Sequence, residues 1–376
     1  MQLPPSLYSR ERGSVIIVAL WTITLMTILV TVIASQNRLS AQVARFHRQE
    51  LATWSGEQAA VNRAEMDLML EQMPASAEGD DSASFEESID AIGRVPRYQR
   101  YRGEELQLYY PQDANIAVRI YDHSGKINLR QISRARLRTL IEKKLGGAKE
   151  ADQQQIDQLM DAWNDWLDLN DGQSPNGAEK DYYLSLPAPY TPRNGPLESV
   201  EEIMSIRGFA ELFADVNLDA AFTIYGEDEL INLNVATIDA MRLIPGLDDD
   251  LIAAIVEYRK EKDFQGNGDV AQLVPAEGMT ELRPWLNSRK DARYYTIMVY
   301  PRPGIADADN KELDDESAGD NTAQDNTAIA DPLLAGYAET VFVAGYSERP
   351  QVMKINPYEK LPLTALPPVS DRETSK

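Results

Sequence analysis

Between Arg12 and Arg38 the chain carries no charged residue, and residues 14–34 are almost wholly apolar. Helical at about 1.5 Å per residue, that run reaches roughly 31 Å, the thickness of the hydrocarbon of a bilayer. The chain must therefore place one long helix in an apolar medium and fold the rest in water. That remainder is acidic: 60 Asp and Glu oppose 37 Lys and Arg, for a formal charge of -23 over 376 residues. Such a field repels nucleic-acid phosphates and anionic lipid head groups unless a local basic patch overrides it. The absence of cysteine excludes disulfides and thiolate metal sites. Two histidines leave little for a zinc or general-base constellation; His47, in a polar helix, and His123, in a turn, are expected to be solvated.

A short charged leader, Arg10-Glu11-Arg12-Gly13, abuts the apolar run. A secretory signal with Val32 and Ala34 at the cleavage positions is one reading, but the run exceeds the usual ~7 to 15 residues. A plain single-span anchor is another, and flanking charge does not orient it, because Arg10 and Arg12 face Arg38, Arg45 and Arg48. A charged leader ending in Gly directly against the apolar run favours a third, a prepilin-type leader cut after Gly13. The helix is then retained and starts at Ser14.

Past the apolar run, Leu39, Val43, Phe46, Leu51 and Trp54 keep a helical stripe, and helix formers continue to Met73 before Pro74 stops them. Strand composition follows at residues 106–110, 116–121 and 127–129. Helices are expected around residues 137–145, closed by Gly146-Gly147, and 156–167; Ser199 with Glu202 reads as a capping box opening another over 199–206. Residues 222–225 and 231–235 return to strand composition. Ile127-Asn128-Leu129 and Ile231-Asn232-Leu233 each precede a helical array, so a weak repeat is present. Strands resume at 294–300 and 339–346 around residues 304–332, whose nine acids and one base, Lys311, mark a mobile loop. The proline-rich stretch after Arg349 lacks periodicity and reads as an extended arm. Strands at both ends with helices between them make an α+β plan with a helical insertion.

Two motifs can carry chemistry. Asp168, Asn170 and Asp171 lie on a Gly-containing loop with Glu179 eleven residues after Asp168, the offset between the first ligand and the terminal Glu of a calcium loop of the helix-loop-helix type. Gly172 stands one position early and the fifth ligand position lacks an acid, so a calcium loop of a different kind is expected, with Asn194 and Glu198 as further donors. A solvated acidic loop is the plainer alternative. The second motif, Leu243-Ile244-Pro245-Gly246-Leu247 followed by Asp248, Asp249 and Asp250, resembles the helix-hairpin-helix module of DNA-uptake and repair proteins. Three carboxylates at the phosphate position repel DNA, and the module reads instead as a packing scaffold. Ser124 and Ser199 lack a partner histidine or a recognisable elbow, and paired carboxylates carry no signal among sixty acids, so catalysis is not expected.

Leader, apolar helix, Ile-Asn-Leu segments, Trp166-Leu167-Asp168, Asn176-Gly177-Ala178-Glu179, Tyr182-Tyr183, Pro189-Tyr190 with Asn194, and the run from Ser199 to Gly208 together resemble the K-type minor pseudopilins of type II secretion systems. Most pilin-like proteins carry Glu at the fifth residue after the cleaved glycine; this chain has Val18, and K-type members lack that glutamate. A carboxylate in hydrocarbon needs a cation, and a subunit at the tip has no such pairing to make.

The resemblance implies no enzymatic activity but a structural tip subunit that initiates or caps a pseudopilus for export across the outer membrane. It is cut between Gly13 and Ser14 by a prepilin peptidase and methylated on the new amine. The implied partners are I-type and J-type minor pseudopilins, with no nucleic acid. The helix sits in the inner membrane, the C-terminal domain in the periplasm. Calcium is implied there, on Asp165, Asp168, Asn170, Asp171, Glu179, Asn194 and Glu198. The expected domains are a leader (1–13), an N-terminal helix (14–73, with 14–34 transmembrane), a pilin-like antiparallel α+β domain (89–129 and 286–347), an inserted all-α domain with helix-hairpin-helix or SAM-like modules (130–285), the acidic loop (304–332) and the tail (348–376). The main rival is a membrane-tethered DNA receptor, based on the hairpin.

Overall fold

A computed structural model describes residues 14–72, 101–106, 116–147, 152–286, 293–301 and 335–363. The leader, the acidic loop 304–332, the second half of the strand expected at 106–110 and residues 364–376 lie outside them. The chain divides into two units, Met1–Gly56 and Glu57–Lys376.

The first unit is helical. Helix α1, Ser14–Glu71, contains a window of mean hydropathy 2.6 and is long and apolar enough to cross a membrane. From Ile16 to Trp54 its large apolar side chains are exposed. Its threonines suit hydrocarbon because each hydroxyl donates to a carbonyl one turn back: Thr24 to Leu20 at 2.6 Å, Thr27 to Ile23 and Thr31 to Thr27 at 2.8 Å. Thr22 does the same toward Ala19 at 2.8 Å, so the four threonine hydroxyls are satisfied within the helix.

The second unit holds a five-stranded antiparallel sheet in the order β1-β2-β5-β6-β7, with β1 Arg102–Leu106, β2 Ile116–Asp122, β5 Tyr294–Pro301, β6 Ala335–Phe342 and β7 Gln351–Lys360. Side-chain alternation sorts the central strand. Tyr295, Ile297 and Val299 join Val118, Ile120 and Val341 in a core with Ala60, Val61, Ala64 and Leu68, which are the last turns of α1. Small residues at positions 60 and 64 let the helix approach the sheet closely. The other face presents Thr296 and Met298, the latter packed with Tyr121 and Ala338.

A larger core gathers the helices inserted between β2 and β5. It begins with β3, Ile127–Asn128, paired in parallel with β4, Phe222–Thr223. Around that pair lie α2 (Arg134–Lys144), α3 (Gln153–Leu167), α4 (Lys180–Leu184), α5 (Phe209–Leu212), α6 (Leu218–Ala221), α7 (Ile238–Leu243), α8 (Asp249–Glu261), α9 (Asn267–Val270) and α10 (Ala276–Leu282). The α+β class, the antiparallel sheet and the helical insertion are as expected.

Four local expectations are corrected. Residues 231–235 form a single parallel bridge, Ile231 to Leu286, followed by a turn, because the Asn232 side chain accepts from the Asn234 amide at 3.0 Å and competes with a ladder. The segment after Ser199 is a 3-10 helix, Val200–Ser205, without a side-chain cap from Ser199. The Glu202 carboxylate accepts instead from the Glu198 amide and is held by Arg193. The stretch expected as a free arm after Arg349 contains β7, paired with β6 over its length. His123 is buried, not solvated.

Candidate functional site

The acidic loop springs from α3, whose N-terminus is capped by Asp152 accepting the Gln154 amide at 2.9 Å. Ile156, Leu159, Met160, Trp163 and Trp166 bury one face of that helix, and the same packing carries Asp165 into the interior with no exposed surface. Both Asp165 oxygens accept from the Ser174 amide, at 3.1 and 3.2 Å, which folds the loop back on the helix. Asp161, which the sequence did not single out, accepts from the amide and side chain of Asn176 at 3.2 Å each. Between them sits Gly177, where a Cβ would lie 2.0 Å from Asp165 Oδ2. The glycine is required by that approach, and the Asn-Gly-Ala-Glu run is the only signal of it in the sequence.

Asp168 closes α3 and accepts the Asn170 amide at 3.1 Å; Asn170 in turn accepts from Gly172 at 2.7 Å. Asn194, at φ 49°, donates to the Asn170 carbonyl at 3.3 Å and to Asp171 Oδ1 at 3.0 Å. Left-handed backbone is tolerated by Asn far better than by bulkier residues. Glu179 caps α4 by accepting the Lys180 amide at 3.2 Å. Its other oxygen, and the Asn194 side-chain oxygen, are buried without a hydrogen-bond partner among the described residues. Burial raises the Glu179 pKa, and the charges of Asp165, Asp168 and Asp171 push it in the same direction. Those four carboxylates therefore share one electrostatic neighbourhood. Glu198 points elsewhere, pairing with Arg193 at 2.9 Å. Among the described residues no three Asp, Glu or His side chains are gathered closely enough to hold an ion by themselves. Trp166, Tyr183 and Tyr190 back the loop, with centroids 5.2 Å apart for Trp166–Tyr183 and for Tyr183–Tyr190.

The hairpin acids are occupied structurally. Asp248 caps α8 by accepting the Leu251 amide at 2.8 Å, and Asp249 takes a two-point bond from Arg242 at 3.1 Å. Lys143 donates to the carbonyls of Ile244 and Leu247, both at 2.6 Å. Gly246, at φ 80°, packs so that a Cβ would sit 2.3 Å from the Gly278 carbonyl oxygen. The turn is thus packed against its own domain.

The region from the 3-10 turn before β3 through the acidic loop and α5, residues 125–216, matches the family model for type II secretion system protein K. A 224-residue stretch is 25% identical to the type II secretion system protein K of Pectobacterium carotovorum subsp. carotovorum, covering 53% of this chain and 59% of that relative. Over these residues the chain is similar to type II secretion system protein K. Nothing in these comparisons favours a DNA receptor. The match spans less than two thirds of the relative's length. A crystal structure of the GspK-GspI-GspJ complex of the enterotoxigenic Escherichia coli type 2 secretion system aligns with 85% of this chain and 99% of its own at 14% identity and a TM-score of 0.49.

Proposed function

We propose that this protein is a K-type, non-catalytic minor pseudopilin that initiates or caps a type II secretion pseudopilus, with I-type and J-type minor pseudopilins as its partners. The observation that carries the reading is the join of a bilayer-length uncharged segment with α1, a helix that continues without a break to Glu71 and ends in the core of the antiparallel sheet. The similarity to type II secretion system protein K supports the pseudopilus. Val18 in place of a carboxylate supports a position at the tip, where no neighbouring amine has to be neutralised. The helix spans the inner membrane and the second unit lies in the periplasm. Cleavage by a prepilin peptidase between Gly13 and Ser14, with methylation of the Ser14 amine, completes the assignment.

Calcium belongs to the same proposal. The donor set is all oxygen, as a hard cation demands, and one side-chain oxygen each of Glu179 and Asn194 is buried without a hydrogen-bond partner among the described residues, which supports the reading. Asp165, Asp168, Asn170, Asp171, Glu179 and Asn194 would hold it, and Glu198 would join only by leaving Arg193. Its role is structural: the ion neutralises a group of carboxylates whose charges, with burial, raise the Glu179 pKa.

Two measurements test the assignment. Mass spectrometry of the mature N-terminus is expected to find methylated Ser14. Affinity purification of the full chain from detergent-solubilised membranes is expected to bring down the I-type and J-type proteins together. A mature protein beginning beyond residue 34, or a chain recovered without either partner, would sink it.

A further inference from the structure

In a chain with 60 acids and 37 bases, one cavity of about 230 Å³ is lined by four cations: Arg102 from β1, Arg119 from β2, and Arg259 and Lys260 from the last turn of α8. Sheet and helical insertion contribute two each. Glu104 and Glu105 share the wall, and Glu104 is already paired with Arg102 at 2.9 Å.

Arg259 is 7% exposed, and its Nη1 donates to the carbonyls of Leu233 at 3.0 Å and Ala236 at 2.6 Å. Among the described residues no carboxylate forms an ion pair with it. Burial, then the charge of Arg102, push its pKa down to about 10, the direction expected of a guanidinium short of counter-charge. Arg102 also donates to the Arg259 carbonyl, which holds the two residues together. Arg119 donates Nε to the Tyr300 hydroxyl at 2.5 Å, and its guanidinium also interacts with the Tyr121 hydroxyl on the same wall. Gly103, at φ 86°, lets the β1 backbone lie against the Tyr121 ring; a Cβ there would come within 2.1 Å of it.

Buried charge is costly unless it is paired, and guanidinium forks match planar oxyanions. Counting Glu257, which pairs with Lys260 at 2.8 Å, four bases meet three acids, and the surplus suits one carboxylate. Ile238, Val256 and Leu363 supply apolar wall beside them. We propose that this cavity is a binding site for a carboxylate-bearing ligand, with Arg102 and Arg119 meeting the oxygens and the apolar wall holding the carbon chain. Two sources can present that chemistry: a separate molecule, or the acids Asp371 and Glu373 of this chain, which follow Leu363 by less than a dozen residues.

Titration calorimetry of the detergent-solubilised full chain with succinate, at fixed ionic strength, tests the site. Saturable binding is expected, weakened at least about tenfold in Arg102→Gln and in Arg119→Lys, which keeps the charge but loses the fork. Lys260→Met, at the rim, is the reserve variant should either fail to fold, and it too weakens binding. Equal binding to parent and Asp371→Asn/Glu373→Gln chains assigns a separate ligand; binding only to the latter assigns the chain's own acids. No saturable binding to either, unchanged affinity in the folded variants, or tighter binding of inorganic phosphate than of succinate overturns the proposal.

Discussion

His123 Nε2 lies 2.8 Å from Thr296 Oγ1, while the opposite ring nitrogen lies 2.7 Å from Thr223 Oγ1. Thr296 is on the central strand of the sheet and Thr223 is on β4 of the helical insertion, so one buried imidazole bridges the two layers. Burial first, with Lys126 and Lys354 adding to it, lowers the His123 pKa well below its ordinary value. The unfolded chain then binds a proton at a pH where the folded one does not. Stability contributed by His123 is present above the unfolded value of about 6.5 and is lost as pH falls toward the folded value. Thermal melts from pH 8 to pH 5 are expected to show a downward slope that is shallower in His123→Gln. An identical slope in the two proteins contradicts the buried neutral imidazole.

Glu359, on β7, has the opposite sign. Burial, with Asp219 adding to it, raises its pKa to about 7 against the pull of Lys126 and Lys354. Its stabilising contribution is complete below the unfolded value of about 4.3 and is lost as pH rises through about 7. Glu359→Gln removes that loss, so the melting temperature of the variant relative to the parent is expected to increase between pH 5.5 and pH 8. A constant difference across the range refutes the assignment.

Gly177 is held against Asp165 by an approach that no side chain can share. Gly177→Ala forces Asp165 or the loop to move, and overpacking of this kind costs about 1 to 3 kcal/mol. Denaturant unfolding of the parent and variant measures it; a loss under about 0.5 kcal/mol shows that the loop relaxes freely.

Calcium, if it sits among these acids, stabilises the chain by mass action. At a hundred times its dissociation constant the gain is about 2.7 kcal/mol. Chelation is expected to lower the melting temperature of the parent, and Glu179→Gln to reduce the difference sharply. A melting temperature indifferent to calcium removes the metal from the proposed function without touching the pseudopilin assignment.

Leu68 is fully buried between α1 and the sheet. Leu68→Ala is expected to cost about 2 to 5 kcal/mol by lost burial and the cavity left behind. Equilibrium unfolding followed by tryptophan fluorescence tests it, and a cost below about 1 kcal/mol means that this contact does not hold the helix end to the sheet.

What the sequence determined by itself rests on periodicity and composition, which act locally. The uncharged run, the long helix, the Leu and Trp stripes of α2 and α3, and the strands β2 and β5 were legible because each pattern repeats within one element. The acidic loop was legible as a set of oxygen donors, and Asp168, Asn170, Asp171, Glu179 and Asn194 do share one neighbourhood. Contacts between distant segments were decided only by the tertiary structure. Tail residues 351–360 look irregular alone and become β7 because β6 offers an unpaired edge. His123 looks like a turn residue and is buried because residues a hundred positions and more away close over it. Asp165 reads as one acid among sixty until helix packing drives it inside, where Ser174 and Gly177 must accommodate it. Desolvation and close approach belong to the folded surroundings, and no window of neighbouring residues encodes them.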